Sequence, residues 1–272
     1  MHTAHRFADF QQIVMDYYRA KGRHDLPWRQ PLADGSFDPY SILVSEIMLQ
    51  QTQVARVLPK FTTFTMQFPS IAALAAAPLG EVLKAWSGLG YNRRAKFLWQ
   101  AAQQVMATHH GRLPDTLSEL VCLPGVGTNT AGAVLAYAFN KPVVFIETNI
   151  RTVFIHHFFA NEPAVPDRAI SDIVAATVPD DPREWYWALM DYGTHLKQIV
   201  GNVSQRSKHY TKQSTFVGSK RQIRGRVLQL LAEGSRKTTE LAGEIQDDRL
   251  DLVLADLVRE GLITEHAGQY KL

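Results

Sequence analysis

The sequence has a single cysteine, Cys122, among its 272 residues. One thiol cannot form an internal disulfide, and such sparse use of cysteine is typical of a reducing compartment. One thiol also falls short of the roughly four thiolates that an iron–sulfur cluster requires. Two neighbouring histidines, His156 and His157, would point about 100° apart on a helix and make poor metal co-ligands. We therefore expect neither a cofactor nor a bound metal.

Long apolar runs are also missing from the sequence. No stretch approaches the roughly 18 apolar residues of a membrane-spanning helix, and residues 1–6 lack the apolar core of a signal peptide. With 46% hydrophobic residues, the chain is able to bury a full core and to form two domains. These properties favour a cytoplasmic protein that does not enter a membrane.

Acidic residues are absent from residue 192 through residue 232, although the net charge of the whole chain is only +3. A basic stretch with interspersed aromatic residues is typical of proteins that contact nucleic-acid phosphates. This basic span predicts DNA contacts for Arg206, Lys208 and Lys212; a solvated linker is the alternative. Its cations are Lys197, Arg206, Lys208, Lys212, Lys220, Arg221, Arg224 and Arg226.

A glycine turn opens the central part of the chain. Gly125 and Gly127 lie in the sequence LPGVG at positions 123–127, and residues 130–139 have the composition of a buried helix. Glycines allow a tight turn that exposes backbone N–H groups, and the start of a helix attracts anions. The turn therefore predicts an anion site; a tight turn that binds nothing is the alternative.

Two glutamates occupy positions that suit a catalytic role. Glu147 directly follows the apolar residues 143–146, and Glu46 lies among apolar residues on a helix predicted over residues 40–57. A carboxyl group in apolar surroundings needs a partner or has a raised pKa, and carboxyls with a raised pKa are the usual general acids. For Glu46, a simple ion pair with an arginine is the alternative.

Polar groups flank Glu46 and a later turn. The amides of residues 50, 51 and 53 are able to bond base edges or to fill a gap in a duplex. Arg93 and Arg94 stand at the start of a predicted helix, where cations oppose the helix dipole. Contacts with phosphates would explain them; a solvated helix face is the alternative.

These motifs resemble a known group of enzymes. The LPGVG turn and the acid after it resemble the helix-hairpin-helix and Gly/Pro-Asp segment of the DNA base-excision glycosylases related to endonuclease III. SEIMLQQTQV (residues 45–54), LPWR (residues 26–29) and WSGLGYNRRA (residues 86–95) are similar to the adenine-specific branch, the MutY-type A/G mismatch glycosylases. The resemblance spans residues 7–193 and implies a mainly α, two-lobed helix-hairpin-helix glycosylase fold.

The resemblance also implies roles for individual residues. The hairpin residues Gly125, Val126 and Gly127 would grip the DNA backbone. Glu46 would protonate the purine, Gln51 would wedge into the base stack, and Tyr91 would contact the displaced strand region. Glu147 would act on the sugar, with Asn149 orienting it. Asn129, which would also contact DNA, stands where lyase-type relatives have a Schiff-base lysine, so we expect no strand cutting by that route.

The chain departs from the family pattern at three places. Glu147 is longer by one methylene than the family aspartate. Lys197 stands near the first of the four cysteines that hold the family's iron–sulfur cluster. Residues 220–272 resemble a winged helix and not the family's pyrophosphohydrolase-like domain. We therefore expect a glycosylase domain over residues 1–195, a basic linker over 196–219 and a winged-helix-like domain over 220–272.

Together these observations predict a monomeric, monofunctional DNA glycosylase that flips and excises a mispaired or damaged base from duplex DNA. Adenine opposite 8-oxoguanine or guanine is the first candidate. The alternatives are a uracil or thymine mismatch glycosylase on the same fold, and a weakly catalytic protein that binds DNA lesions.

Overall fold

The computed structural model describes residues 2–208, 210 and 215–272. These residues form a mainly helical protein, which confirms the predicted fold class. The helices are α1 His2–Lys21, α2 Pro39–Leu49, α3 Val54–Gln67, α4 Ile71–Ala76, α5 Leu79–Ala85, α6 Arg93–Thr108, α7 Leu117–Leu120, α8 Thr128–Phe139, α9 Thr148–Phe158, α10 Asp167–Thr177, α11 Pro182–Ile199, α12 Lys220–Glu233, α13 Thr238–Ile245 and α14 Leu250–Arg259. The strands are β1 Arg236–Lys237, β2 Thr264–His266 and β3 Gln269–Lys271.

The chain folds into two compact units that interleave along the sequence. The first unit comprises residues 1–43, 115–121 and 126–212, and the second comprises residues 44–114, 122–125 and 213–272. Among the described residues, no helix has both the length and the apolar character that crossing a membrane would require.

Helices α9 and α11 form the centre of the first unit, with α1, α8 and α10 packed around them. Gly193 makes this packing possible, because a Cβ atom at that position would lie 2.5 Å from the carbonyl oxygen of Asn149. Helix α8 consists of small apolar residues and is buried nearly all round, as its composition predicts. Gly132 allows Phe145 to approach α8 in the same way. Two glycines therefore permit the close packing of this unit.

An ion cluster anchors the N-terminal region of the first unit. The Asp191 carboxylate accepts two hydrogen bonds from the Arg29 guanidinium, at 2.8 and 3.0 Å. It also accepts from the backbone N–H of Arg23 at 2.7 Å and from that residue's guanidinium. Burial alone would raise the pKa of Asp191, but the hydrogen bonds and charges of Arg29 and Arg23 outweigh it and lower the pKa. Asp191 is therefore a structural anion.

The single helix predicted over residues 40–57 is wrong. Helix α2 ends at Leu49, residues 50–53 form a turn, and α3 starts at Val54. The physical reason is local: Gln51 adopts a left-handed backbone with φ 54°, which an α-helix cannot include. The turn places the polar residues 50–53 at a helix end, where their backbone groups need partners from outside the helix.

The C-terminal part of the second unit is a winged helix, as predicted. Its elements follow in the order α12, β1, α13, α14, β2 and β3, and the antiparallel sheet has the strand order β1-β3-β2. Ala267 and Gly268 join β2 to β3 with φ values of 52° and 75°, the conformation of a two-residue hairpin turn. Helix α12 packs on α5, and the Lys96 ammonium of α6 donates to the Glu260 carbonyl. The domain is therefore joined to helices that precede it in the second unit.

We predict that Asp191→Asn lowers the free energy of unfolding by about 3–5 kcal/mol, because it leaves the buried Arg29 without a counter-charge. Chemical denaturation at neutral pH measures this change. The matched control is Asp16→Asn, which removes an exposed ion pair with Arg19 and should cost less than about 1 kcal/mol.

The same carboxylate predicts a pH dependence. Because the folded pKa of Asp191 is lowered, its contribution is fully present above the unfolded value of about 3.9 and is lost as the pH falls through the folded pKa. The difference in stability between wild type and Asp191→Asn should therefore shrink under strong acid. An equal unfolding midpoint for the two proteins at pH 7 would contradict the assignment.

Candidate active site

Glu147 is the N-cap residue of α9 in the first unit. It follows the buried residues Phe145 and Ile146, and its carboxylate accepts a hydrogen bond from the Thr148 N–H at 3.3 Å. The side chain is half-buried. A helix start leaves backbone N–H groups without partners inside the helix, so a hydrogen-bond acceptor suits this position. The apolar segment before α9 thus ends in an acid at a helix start, a position that we did not predict from the sequence.

Asn129 holds the backbone that leads into Glu147. Its amide nitrogen donates to the Ile146 carbonyl at 3.1 Å, and its amide oxygen accepts from the Ile146 N–H at 3.3 Å. Both ends of the amide are engaged, and the contact of this exposed side chain with DNA stays a prediction. The Asn129 amide makes two hydrogen bonds with the backbone of Ile146, as a neighbouring β-strand would. It thereby positions Ile146, the residue before Glu147.

Asn149 lies two residues beyond Glu147 and has a partner that we did not predict. The Lys197 ammonium, in the last turn of α11, donates to the Asn149 amide oxygen at 2.6 Å. Arg151, on the next turn of α9, is held by Asp167 at 2.8 and 3.1 Å. The start of α9 therefore carries an acid, an amide and a fixed cation in a short stretch.

The LPGVG turn has the geometry of an anion site. Gly125 has φ 78°, and a Cβ atom there would lie 2.7 Å from the Cβ atom of Phe97. Gly127 is the N-cap of α8, makes no side-chain cap, and has open space where a Cβ atom would be. The first N–H groups of α8 thus lack a side-chain cap at an exposed turn. The Val126 side chain is buried, so this residue can meet DNA through its backbone only.

Glu46 lies near the end of α2, in the second unit. It is half-buried, while its neighbours Ser45 and Ile47 are buried with exposed fractions of 0% and 1%. Helix α2 carries no other charged residue, since its sequence is PYSILVSEIML. Glu46 therefore lies at the edge of the protein interior, and its role as an acid stays a prediction.

Arg94 organises the turn that follows Glu46. Its guanidinium donates to six oxygen atoms at 2.7–3.2 Å, and burial lowers its pKa to about 10. The prediction that Arg94 contacts phosphates is wrong, because the group is buried and satisfies carbonyls freed at the end of α2. Its acceptors are the carbonyls of Ile47, Met48, Gln50, Leu89 and Gly90 and the hydroxyl of Thr52.

A cleft of about 680 Å³ opens beside this turn, within the second unit. Gln51 and Tyr91 line it, and both have left-handed backbones, with φ 54° and 48°. Helix α12 supplies another wall, where the Arg221 guanidinium donates to the Tyr91 hydroxyl and lies 5.3 Å from the ring centre. Arg93, the exposed cation at the start of α6, also lines the cleft.

The basic span is largely used inside the protein. Arg206 donates to the carbonyls of Phe159 and Ala160 at 3.2 and 2.6 Å, beyond the end of α9, so its predicted phosphate contact is not supported. Arg224 pairs with Glu260, which lies outside the span. Lys208 is exposed and remains a candidate for phosphate contact. Lys212 lies outside the described residues.

An iron–sulfur cluster does not fit the residues present. The one cysteine of the chain, Cys122, is exposed, and Lys197 bonds to Asn149 near the position of the family's first cluster ligand. Among the described residues, no group of three or more His, Cys, Asp or Glu side chains is arranged to hold a metal ion. His157 instead bonds to the Tyr192 hydroxyl at 3.1 Å, and burial lowers its pKa to about 4.

Comparison with known proteins gives consistent results. Residues 44–173 match the family model described as HhH-GPD superfamily base excision DNA repair protein. The adenine DNA glycosylase of Mycolicibacterium smegmatis is 33% identical over 282 residues, which cover 92% of this chain and 92% of that protein. The adenine DNA glycosylase of Buchnera aphidicola subsp. Baizongia pistaciae is 38% identical over 152 residues, 56% of this chain but 42% of that protein.

Two solved structures share the fold. A thermostable thymine-DNA glycosylase matches with a TM-score of 0.61 and 25% identity, over 71% of this chain and 88% of that chain. Endonuclease III in a non-covalent complex with DNA matches with a TM-score of 0.55 and 17% identity, over 77% of this chain and 90% of that chain.

We predict that Arg94→Lys lowers the free energy of unfolding by about 2–4 kcal/mol, because a lysine cannot satisfy six oxygen atoms around a planar fork. Chemical denaturation measures the loss. Arg93→Lys is the matched control, since its side chain is exposed and its substitution should change stability by no more than about 0.5 kcal/mol. Equal unfolding midpoints for Arg94→Lys and wild type would refute the assigned role.

Proposed function

The chain belongs to the adenine DNA glycosylases of the HhH-GPD superfamily, and we propose that it releases adenine paired with guanine or 8-oxoguanine from duplex DNA. It binds DNA and is a DNA N-glycosylase of base excision repair. The observation that carries the adenine assignment is Glu46, a half-buried acid on an otherwise uncharged helix, directly before the turn that presents Gln51. A purine needs such an acid more than a pyrimidine does, because it leaves most readily when its ring is protonated.

Glu46 acts as the general acid in this proposal. Its carboxyl group donates a proton to the flipped adenine, so that the bonding electron pair between C1′ and N9 departs with a neutral base. Its neighbours Ser45 and Ile47 on α2 are buried, so the acid lies at the edge of the protein interior.

Glu147 acts on the sugar. Loss of the base leaves positive charge on C1′ and the ring oxygen, which a carboxylate stabilises. Water then adds to C1′ and loses its proton to that carboxylate, which leaves an abasic site. A short-lived covalent bond between the carboxylate and C1′ is the alternative course. Asn129 and the Lys197–Asn149 pair support this proposal, because Asn129 holds the backbone before Glu147 and Lys197 holds the side chain of Asn149 after it.

DNA contacts follow from the two exposed turns. The uncapped start of α8 at Gly127 suits a phosphate, and the left-handed turn at Gln51 projects an amide into the space that a flipped base leaves. The cleft beside Gln51 and Tyr91 offers the exposed guanidinium of Arg93, which suits the acceptor-rich edge of a guanine-type base. These features support recognition of a purine in the opposite strand.

A second candidate function is thymine release from mismatches. The thermostable thymine-DNA glycosylase shares 25% identity and the fold over most of its length. A third is lesion binding with weak catalysis, because Glu147 carries an extra methylene and a misplacement of about 1 Å costs about 10²-fold in rate.

We predict that Glu46→Gln lowers single-turnover adenine release at least about 10²-fold while the DNA dissociation constant changes little, because proton transfer is lost and binding is not. The assay uses duplexes carrying A opposite G, A opposite 8-oxoguanine, T opposite G and U opposite G. Glu147→Asp should retain or raise activity, and Glu147→Gln should be nearly inactive.

The matched control is Glu81→Gln, which changes an exposed glutamate of the same unit paired with Lys84. Release of thymine or uracil in preference to adenine would replace the first candidate by the second. Tight lesion binding without release of any base would favour the third.

We also predict that the product strand stays intact until it is treated with alkali, because Asn129 offers no amine and the Lys197 amine is bonded to Asn149. Denaturing gels with and without alkali measure strand cutting. A covalent protein–DNA adduct trapped by borohydride would show an amine nucleophile and would refute the monofunctional assignment. The single cysteine supports our further proposal that the enzyme works without an iron–sulfur cluster.

A further inference from the structure

Lys197 lies on the face of α11 that touches the start of α9. Gly193 stands one helical turn earlier, and residues four apart share a helix face. Because Gly193 brings α11 to within van der Waals contact of Asn149, the Lys197 side chain can reach the Asn149 amide from the next turn. The contact is therefore set by the packing of two helices and not by a flexible surface side chain.

The chemistry of this contact fixes the direction of an amide. An asparagine side chain has an oxygen that accepts and an NH₂ group that donates, and the two ends have nearly the same shape. A lysine ammonium has donors only, so the Asn149 oxygen must face Lys197 at 2.6 Å. The NH₂ group of Asn149 is thereby turned away from α11.

The charges around Lys197 are compatible with a protonated donor. Burial lowers its pKa, Glu147 opposes that shift, and Arg151 adds to it. Arg151 is held by Asp167, which limits its repulsion. Burying an ammonium group costs desolvation energy unless the group is well paired. The presence of a lysine at position 197 is therefore better explained by a function than by a contribution to stability.

We propose that Lys197 is a positioning residue for catalysis: it locks the Asn149 amide so that the NH₂ group is presented on the side of Glu147 that meets the sugar and the attacking water. The inference rests on the proposed role of Glu147. Lys197 does not itself touch the reacting atoms. It acts through Asn149, which gives the proposal a specific signature in a double-mutant cycle.

The experiment compares Lys197→Met, Lys197→Arg, Asn149→Ala and the double variant Lys197→Met/Asn149→Ala in the full chain. Single-turnover base release is measured at saturating DNA, on the duplex that wild type processes fastest. We expect Lys197→Met to slow release about 10- to 100-fold with little change in DNA affinity. Lys197→Arg should recover most of the rate, because a guanidinium also has donors only.

Two readouts separate positioning from a structural role. Lys197→Met should unfold at the same denaturant concentration as wild type or a higher one, since methionine is of similar size and removes a buried charge. In the Asn149→Ala background, Lys197→Met should change the rate by less than about twofold. A full effect of Lys197→Met in that background, or an unchanged rate in the single variant, would overturn the proposal.

The proposed role of Glu147 and the proposed role of Lys197 can be refuted independently. If Glu147→Gln releases bases as fast as wild type, the role given to Glu147 is wrong, whatever Lys197 does. If Glu147→Gln is inactive while Lys197→Met is fully active, only the positioning role is wrong. If Lys197→Met is poorly folded, the comparison of Lys197→Arg with Lys197→Gln replaces it. A glutamine can pair with either orientation of the Asn149 amide, whereas an arginine fixes the orientation. Base release should therefore be slow in Lys197→Gln and fast in Lys197→Arg.

Discussion

The ends of α-helices leave backbone N–H and C=O groups without partners inside the helix, and each of the two units has candidate functional residues at such an end. The carbonyls freed after α2 are taken by Arg94, and the segment before α9 is paired by Asn129. The start of α8 is different, since Gly127 provides no side-chain cap. The satisfied helix ends hold the segments that carry the proposed catalytic side chains, and the start of α8 suits the phosphate contact proposed for it.

Much of this arrangement follows from local sequence. The LPGVG turn, the composition of α8 and the apolar approach to Glu147 each have a short-range physical cause, so their positions are predictable. Thr116 is a further case of a local cause, because its hydroxyl caps α7 by accepting from the Glu119 N–H three residues on, at 3.4 Å. The winged helix also follows from the order of its helix and strand patterns.

The roles of individual cations are not predictable in this way. Arg93 and Arg94 are adjacent, yet one is exposed and the other buried, because successive residues on a helix face directions about 100° apart and only tertiary packing decides which turns inward. Asn129, Lys197 and Arg206 likewise bond to backbone or side chains many residues away. An excess of positive charge in a sequence therefore overstates the number of cations available to DNA.

Glu147 has a conformational preference of its own in the free protein. Its carboxylate folds back and accepts a hydrogen bond from the N–H of the next residue, Thr148, which the length of the side chain permits. A helix cap of this kind contributes about 1 kcal/mol. A bond worth about 1 kcal/mol is open in about one molecule in six, so under the proposed role only that fraction has a carboxylate free to reach the sugar before DNA binds. In that role, the Glu147 carboxylate exchanges the Thr148 N–H for the sugar when the substrate binds, which couples its release to DNA.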